Sequence, residues 1–432
     1  TFSSRGLGDV YKRQSLSRIG AHLILPTLLA TLTTGTLAAD QGRIGTRPIG
    51  IDKTNAQFSP NNRWAFSHMR ELYPTALINN DPKRMQLLPG NPAHPSEIWI
   101  NFRGNQVSLD ALARRYFTDA IAVYKDGELV VEGYYGEQKP DRPHLMMSMT
   151  KSVTAVLVAK YVAEGLIDLN KTVADYIPEL TKSGWGPDSL RAVWDMRDGA
   201  AYSEVYDDPS STVWQHSCAS GWLELKDCPN GAMRSSYEFL PTVQRDEHIV
   251  GEFHYKSAST DVLAWVLERV TGRSFVQLVS EEVWQQIGAE YPADITVDLD
   301  GYGWASGGMS ATLRDLVRFG VMALNLGAVG YRQVFPSSHF EDVMSHPADD
   351  SWPYGESAKG WKPYYRSFWW GVGNGLGDFE AVGIHGQIIR VSPKDDLVIV
   401  YLSSWPAAEG ETIGGYEAYE DISEGLRILF RK

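Results

Sequence analysis

The stretch Ser148-Met149-Thr150-Lys151 joins a hydroxyl group to an amine by local geometry alone. Residues three apart on a helix share a face, so Ser148 Oγ and Lys151 Nζ converge as nucleophile and base without help from a distant loop. The residues that follow predict a helix over 148–164. Val153, Val156, Leu157, Lys160 and Tyr161 keep the i, i+3, i+4, i+7, i+8 rhythm, and Gly165 stands where a left-handed cap ends it. A serine at the start of that helix lies beside free backbone N–H groups and the positive dipole end, which favour a developing oxyanion. The same residues also read as an N-cap serine followed by a solvated lysine, and the spacing alone does not decide between the two.

Two further stretches carry chemistry. Phe253-His254-Tyr255-Lys256-Ser257 precedes a helix predicted over about 259–271. A tyrosine in such a turn presents its hydroxyl to a cleft, and a nearby lysine cation stabilises its phenolate as a base near neutral pH. A packed aromatic at Tyr255 and an N-cap at Ser257 or Ser259 are the competing readings. The third stretch is Gly383-Ile384-His385-Gly386-Gln387. Glycine at a strand start lets a ligand backbone approach closely, and an N–H there can add a second oxyanion donor to that of Ser148.

Residues 120–125 and 128–135 predict a hairpin about the turn Asp126-Gly127. Helical patterns occupy 148–164, about 259–271 and about 312–326. Strands return at 387–391 and 397–402 around Ser392-Pro393-Lys394-Asp395-Asp396, and a last helix runs over 417–431. Hairpins at both ends with helices between predict an α+β domain over 40–432. Its sheet lobe comprises about 115–147 and 330–432, and its inserted helical lobe about 148–330. Residues 40–110, rich in Pro and Asn, read as a surface arm with little visible function.

Composition narrows the classes. The chain has 432 residues, 43% hydrophobic and 22% charged, which is ordinary for a globular protein and unlike a disordered one. A formal net charge of −13 and the lack of a basic stripe argue against a nucleic-acid partner. The 14 tryptophans fit either core filling or an aromatic cleft.

Lys12, Arg13 and Arg18 precede an apolar stretch from Ala21 to Ala39 that ends in small residues before Asp40. That order reads as a secretory signal over 1–39, with Thr1 to Gln14 as an upstream extension. A periplasmic or secreted location without stable membrane insertion follows, a membrane anchor being the rival reading. Cys218 and Cys228, the only two cysteines, then read as one disulfide remote from the chemistry. Zinc is the alternative, because His216 lies two residues before Cys218.

In their order and spacing the three chemical stretches resemble the penicillin-recognising serine hydrolases: class C β-lactamases, D,D-peptidases, family VIII carboxylesterases and 6-aminohexanoate-dimer hydrolases. The resemblance spans roughly 115–430. Trp194-Asp195-Met196-Arg197-Asp198-Gly199 and Tyr202-Ser203-Glu204-Val205-Tyr206-Asp207-Asp208-Pro209 are most similar to the last subgroup. It implies a β-lactamase/D,D-peptidase-like fold, with Ser148 as nucleophile, Lys151 and Tyr255 as the proton-transfer pair, and Tyr206 contacting the scissile amide. Ser257, His385, Gly386 and Gln387 would line the substrate or oxyanion site. It also implies a small amide or ester substrate and no metal or organic cofactor, and it leaves a homodimer open. Ser257 stands where relatives carry Asn, and Ile384-His385-Gly386 where they carry Lys-Thr-Gly, so β-lactams are expected to be poor substrates. An esterase, a weak β-lactamase or D,D-peptidase, and an exported binding protein that kept the fold without activity are the alternatives.

Overall fold

A computed structural model describes residues 47–431 except 225–227, 229–232, 347–356 and 358. The signal segment read at 1–39 lies outside the described residues.

The elements that position the site are numbered here in chain order. Strand β1 is Thr75–Ile78, and β2 (Thr118–Lys125) and β3 (Glu128–Tyr134) form the expected hairpin. Its turn residues, Asp126 (φ 49°) and Gly127 (φ 90°), are both left-handed, as a tight two-residue hairpin requires. Next come β4 (His144–Leu145), helix α1 (Thr150–Ala163), helix α2 (Thr212–Ala219) and helix α3 (Ser257–Thr271). Strands β5 (Ala293–Thr296) and β6 (Met309–Ala311) and helix α4 (Leu313–Leu324) follow. The chain closes with β7 (Tyr364–Arg366), β8 (Trp369–Gly371), β9 (Phe379–Gly383), β10 (Gln387–Ser392), β11 (Leu397–Ser403) and helix α5 (Gly415–Phe430).

The main sheet has seven antiparallel strands in the order β7-β8-β9-β10-β11-β2-β3, so the first hairpin pairs with the last strands of the chain. Every residue of β11 is buried. An unbroken apolar run without alternation is what a strand covered on both faces requires. On one face α4 lies so close that a Cβ at Gly320 would come within 2.6 Å of Val398. On the other, Tyr419 of α5 meets Tyr401 edge to face, with ring centroids 5.0 Å apart.

Helix α1 differs from the one-sided stripe its spacing predicts, since Thr150, Lys151, Ser152 and Thr154 are buried along with its apolar residues. A helix enclosed on all sides can hold polar groups only if each finds a partner. Ser152 donates to the Phe368 carbonyl at 3.0 Å and Thr150 to that of Met147 at 2.7 Å.

The arm is not a bystander. Its strand β1 enters a second antiparallel sheet, β1-β5-β6-β4, which the sequence does not announce because its strands are two to four residues long. Phe66 and Met69 of the arm share a core with Leu145, Met147, Trp222 and Ile384, residues that flank the candidate site.

Candidate active site

Strand β4 ends at Leu145, and the chain turns through Met147, whose φ of 48° is left-handed, into a short 3₁₀ turn that carries Ser148 to the start of α1. A non-glycine residue in that region is costly and persists only where neighbours over-determine it. They do so here: Met146 N–H donates to the Met309 carbonyl at 2.8 Å, and Leu145 N–H to that of Phe66 at 2.8 Å. The half-buried Ser148 hydroxyl therefore faces a cavity at a strand-to-helix corner.

Lys151, one turn on, is 1% exposed. Its Nζ lies 2.7 Å from Ser148 Oγ and 2.6 Å from the Ser306 carbonyl, and 5.1 Å from the centre of the Tyr255 ring. Burial pushes this amine down to about 8, while the carboxylates of Glu204 and Asp261 oppose the shift. A lysine that binds its proton so weakly can accept one from serine near neutral pH.

Tyr255 precedes α3, packed against Trp370 at 5.4 Å and edge to face with Tyr365 at 5.8 Å, and its hydroxyl is hydrogen-bonded to Ser148. Here the expected phenolate needs correction. Burial first, and Glu204 next, hold the phenol well above its ordinary pKa, so Tyr255 is a neutral O–H in the resting site. Lys256, beside it in sequence, gives no help: its Nζ pairs with Asp198 at 2.9 Å, both side chains fully buried. Ser259 donates to the other oxygen of Asp198 at 2.9 Å, so this ion pair fixes the start of α3 and Ser259 is no cap.

Ser257 is not a cap either. Its N–H donates to Glu204 at 2.8 Å and its hydroxyl at 2.7 Å, and the Tyr206 hydroxyl reaches the same carboxylate at 2.6 Å. Glu204, 2% exposed, is the candidate site residue that the types and spacing do not single out. Its only signal is a place between Tyr202 and Tyr206 in a stretch read for resemblance. A carboxylate receiving three donors at a helix start is well solvated by the protein.

Ser148 lines a small cavity, about 40 Å³, with Glu204, Tyr206, Ser257, Trp304, Ser306 and Ile384 among its other walls. It adjoins an outer cavity of about 250 Å³, the two sharing Gln57, Tyr206, Trp214 and Ile384. Cavities of about 440 and 690 Å³ lie elsewhere, so the Ser148–Lys151 contact and not size marks the site. Trp214, Trp222 and Trp304 line the inner cavity while Trp185, Trp284 and Trp369 fill the core, so the tryptophans serve both purposes.

The last stretch divides. Gly383 at the end of β9 is pressed on the turn that carries Ser148: a Cβ there would lie 2.6 Å from the Met146 carbonyl and 3.0 Å from Ser148 N. His385 lines the outer cavity, donates through Nδ1 to the Trp405 carbonyl at 2.8 Å, and is pushed by burial down to about 4, hence neutral at pH 7. Its N–H is occupied by Ala408 at 2.7 Å, whereas those of Ser148 and Ile384 have no backbone partner among the described residues. Gly386 and Gln387 do not reach either cavity. A Cβ at Gly386 would strike Trp405 at 2.4 Å, and the fully buried Gln387 amide clamps Ser403, donating to its carbonyl at 2.5 Å and accepting from its N–H at 3.2 Å.

Cys218 and Cys228 form a disulfide, which occupies both sulfurs a zinc ion would need. His216 turns instead to Tyr202 at 3.1 Å and Asp261 at 3.2 Å. The bridge is not remote from the site, because α2, which carries Cys218, also supplies Val213, Trp214 and Ser217 to the Ser148 cavity.

Residues 109–421 match the family model described as Beta-lactamase. The chain is 38% identical over 361 residues, 81% of its length and 87% of the relative's, to the 6-aminohexanoate-dimer hydrolase of Paenarthrobacter ureafaciens. Among solved structures it resembles a "Putative 6-aminohexanoate-dimer hydrolase from Bacillus anthracis", with a TM-score of 0.77 and 30% identity over 87% of this chain and 97% of that one. A D-stereospecific amidohydrolase from Streptomyces sp. shares the fold at a TM-score of 0.51 and 15% identity, covering 70% of this chain and 96% of the other.

Proposed function

The chain belongs to the beta-lactamase family, and from that premise we propose that it is a serine hydrolase of small linear amides or esters, acting through an acyl-enzyme on Ser148. The observation that carries this reading is the 2.7 Å contact between Ser148 Oγ and the buried, weakly basic Lys151 Nζ.

Neutral Lys151 takes the Ser148 proton as Oγ attacks the substrate carbonyl carbon. The Ser148 and Ile384 N–H groups, both unoccupied by backbone acceptors, are the candidate donors to the oxyanion that forms. Collapse of the tetrahedral species breaks the amide C–N or ester C–O bond. Tyr255 gives its hydroxyl proton to the leaving nitrogen or oxygen and recovers one from Lys151. Water then attacks the serine ester along the reverse path, releasing the acid and restoring the Ser148 hydroxyl. Tyr206, held by Glu204, stands on the cavity wall where it can meet the scissile amide.

The relative's name directs the substrate reading to 6-aminohexanoate oligomers, linear amides without a strained ring. Neutral His385 offers no cation to grip a carboxylate of the kind β-lactams carry, and losing such a contact costs roughly ten- to a hundredfold in affinity. Kinetics on short nitrophenyl esters, the 6-aminohexanoate dimer and nitrocefin test this. Turnover of esters and the linear amide is expected with kcat/KM above that for nitrocefin, and the opposite order would overturn the assignment.

We also propose export to an oxidising compartment, supported by the disulfide and by the targeting pattern of residues 1–39. Among the described residues no helix is long and apolar enough to cross a membrane.

A further inference from the structure

The residues that match the family model begin at 109, yet a segment some fifty positions earlier walls the cleft. Gln57 lines both the Ser148 cavity and the outer one, and Phe58 lines the outer one. Their backbone is firmly seated. Phe58 N–H donates to the Asn55 carbonyl at 3.1 Å, and the Phe58 carbonyl accepts from Asn62 N–H at 3.1 Å. The buried Asn62 side chain in turn donates to the Trp405 carbonyl at 3.0 Å. Ala56, on the other flank, is buried in the core shared with Met147 and Ile384.

On this fixed support the two side chains are left open. Phe58 is 58% exposed, facing an outer cavity whose other walls include Trp214, Ile384 and Pro406. A large apolar ring held exposed beside other apolar walls gains by being covered. Gln57 is half-buried, and its side-chain amide has no hydrogen-bond partner among the described residues. A primary amide in a partly dry cleft, able both to donate and to accept, favours a ligand that supplies a polar group there.

We propose that Gln57 and Phe58 determine substrate specificity. Phe58 covers an unbranched methylene chain leading away from the bond held at Ser148, and the Gln57 amide binds a polar group, such as a second amide, carried on that chain. This inference rests on the hydrolase reading above and assigns the selection among its linear substrates to these two residues of the arm.

The test is steady-state kinetics of wild type, Phe58→Ala and Gln57→Ala on two series, nitrophenyl esters with acyl chains of two to eight carbons and linear amides lengthened on the amine side. Phe58→Ala is expected to raise KM roughly tenfold for the longer members of at least one series, with kcat within about twofold and two-carbon substrates unaffected. Gln57→Ala is expected to weaken only substrates with a polar group past the methylenes, and Gln57→Asn to recover part of the loss. A thermal midpoint within about 2 °C of wild type checks that the arm stays seated. Losses equal at every chain length, or no loss in either series, would overturn the inference while leaving the hydrolase reading intact. Wild type that turns over no member of either series would overturn both.

Discussion

In the proposed mechanism Ser148 gives its proton to a neutral amine, so the state of Lys151 sets the working pH. Burial lowers Lys151 to about 8; below that pH it is mostly charged and blocked, above it mostly neutral and able to accept. We expect kcat/KM for a nitrophenyl ester to climb as pH rises through about 8 and then level off, and a profile flat from 6 to 10 would remove Lys151 as base. Glu204 holds Lys151 up, so Glu204→Gln should move that rise to lower pH besides reducing the rate; an unmoved midpoint would reject the electrostatic link. Tyr255→Phe and Lys151→Ala should each cost several kcal/mol of barrier yet be far from additive, since they handle the same protons. A double variant with the product of both losses would show that they act independently. The Ser148–Lys151 pairing is legible in sequence because both partners lie within one turn. The Glu204–Ser257 contact is not, because its partners are 53 positions apart and only folding joins them.

Elements bring these side chains to hydrogen-bonding distance of one another. Strand β9 presses Gly383 on the turn that carries Ser148, where a methyl group would lie 2.6 Å from the Met146 carbonyl and 2.9 Å from Met147 Cβ. Gly383→Ala should therefore part the strand from the turn and reduce kcat by roughly a hundredfold or more, since a shift of about 1 Å is that costly. Kinetics within tenfold of wild type would mean that the turn yields without loss. Helix α2 ties the cleft to the disulfide. Cys218→Ser with Cys228→Ser should remove about 2–3 kcal/mol of stability, read as a lowered thermal midpoint, and slow turnover severalfold by loosening Trp214 and Ser217. Unchanged activity at unchanged temperature would uncouple the bridge from the site. The long hairpin strands and the helices capped by Gly165 and Gly272 are legible from turn residues and periodicity. The second sheet is not, because a strand such as Ala293–Thr296 is too short to show a period and is defined only by its pairing with Thr75–Ile78 on one side and Met309–Ala311 on the other.

Across the whole molecule, the hairpin over 118–134 joins the last strands to build the sheet, the middle supplies Ser148, Lys151 and Tyr255, and the arm walls the cleft. Composition left the arm's purpose unread, since Gln57 and Phe58 gain meaning only from the cavities they line. The central claim joins these levels: the whole fold exists to make Ser148 a covalent nucleophile. Intact-protein mass spectrometry during turnover of a nitrophenyl ester, with peptide mapping, tests it most directly. The account predicts one acyl group on the peptide containing Ser148 in wild type, and neither adduct nor turnover in Ser148→Ala. An adduct on another residue, or Ser148→Ala activity within tenfold of wild type, would contradict it.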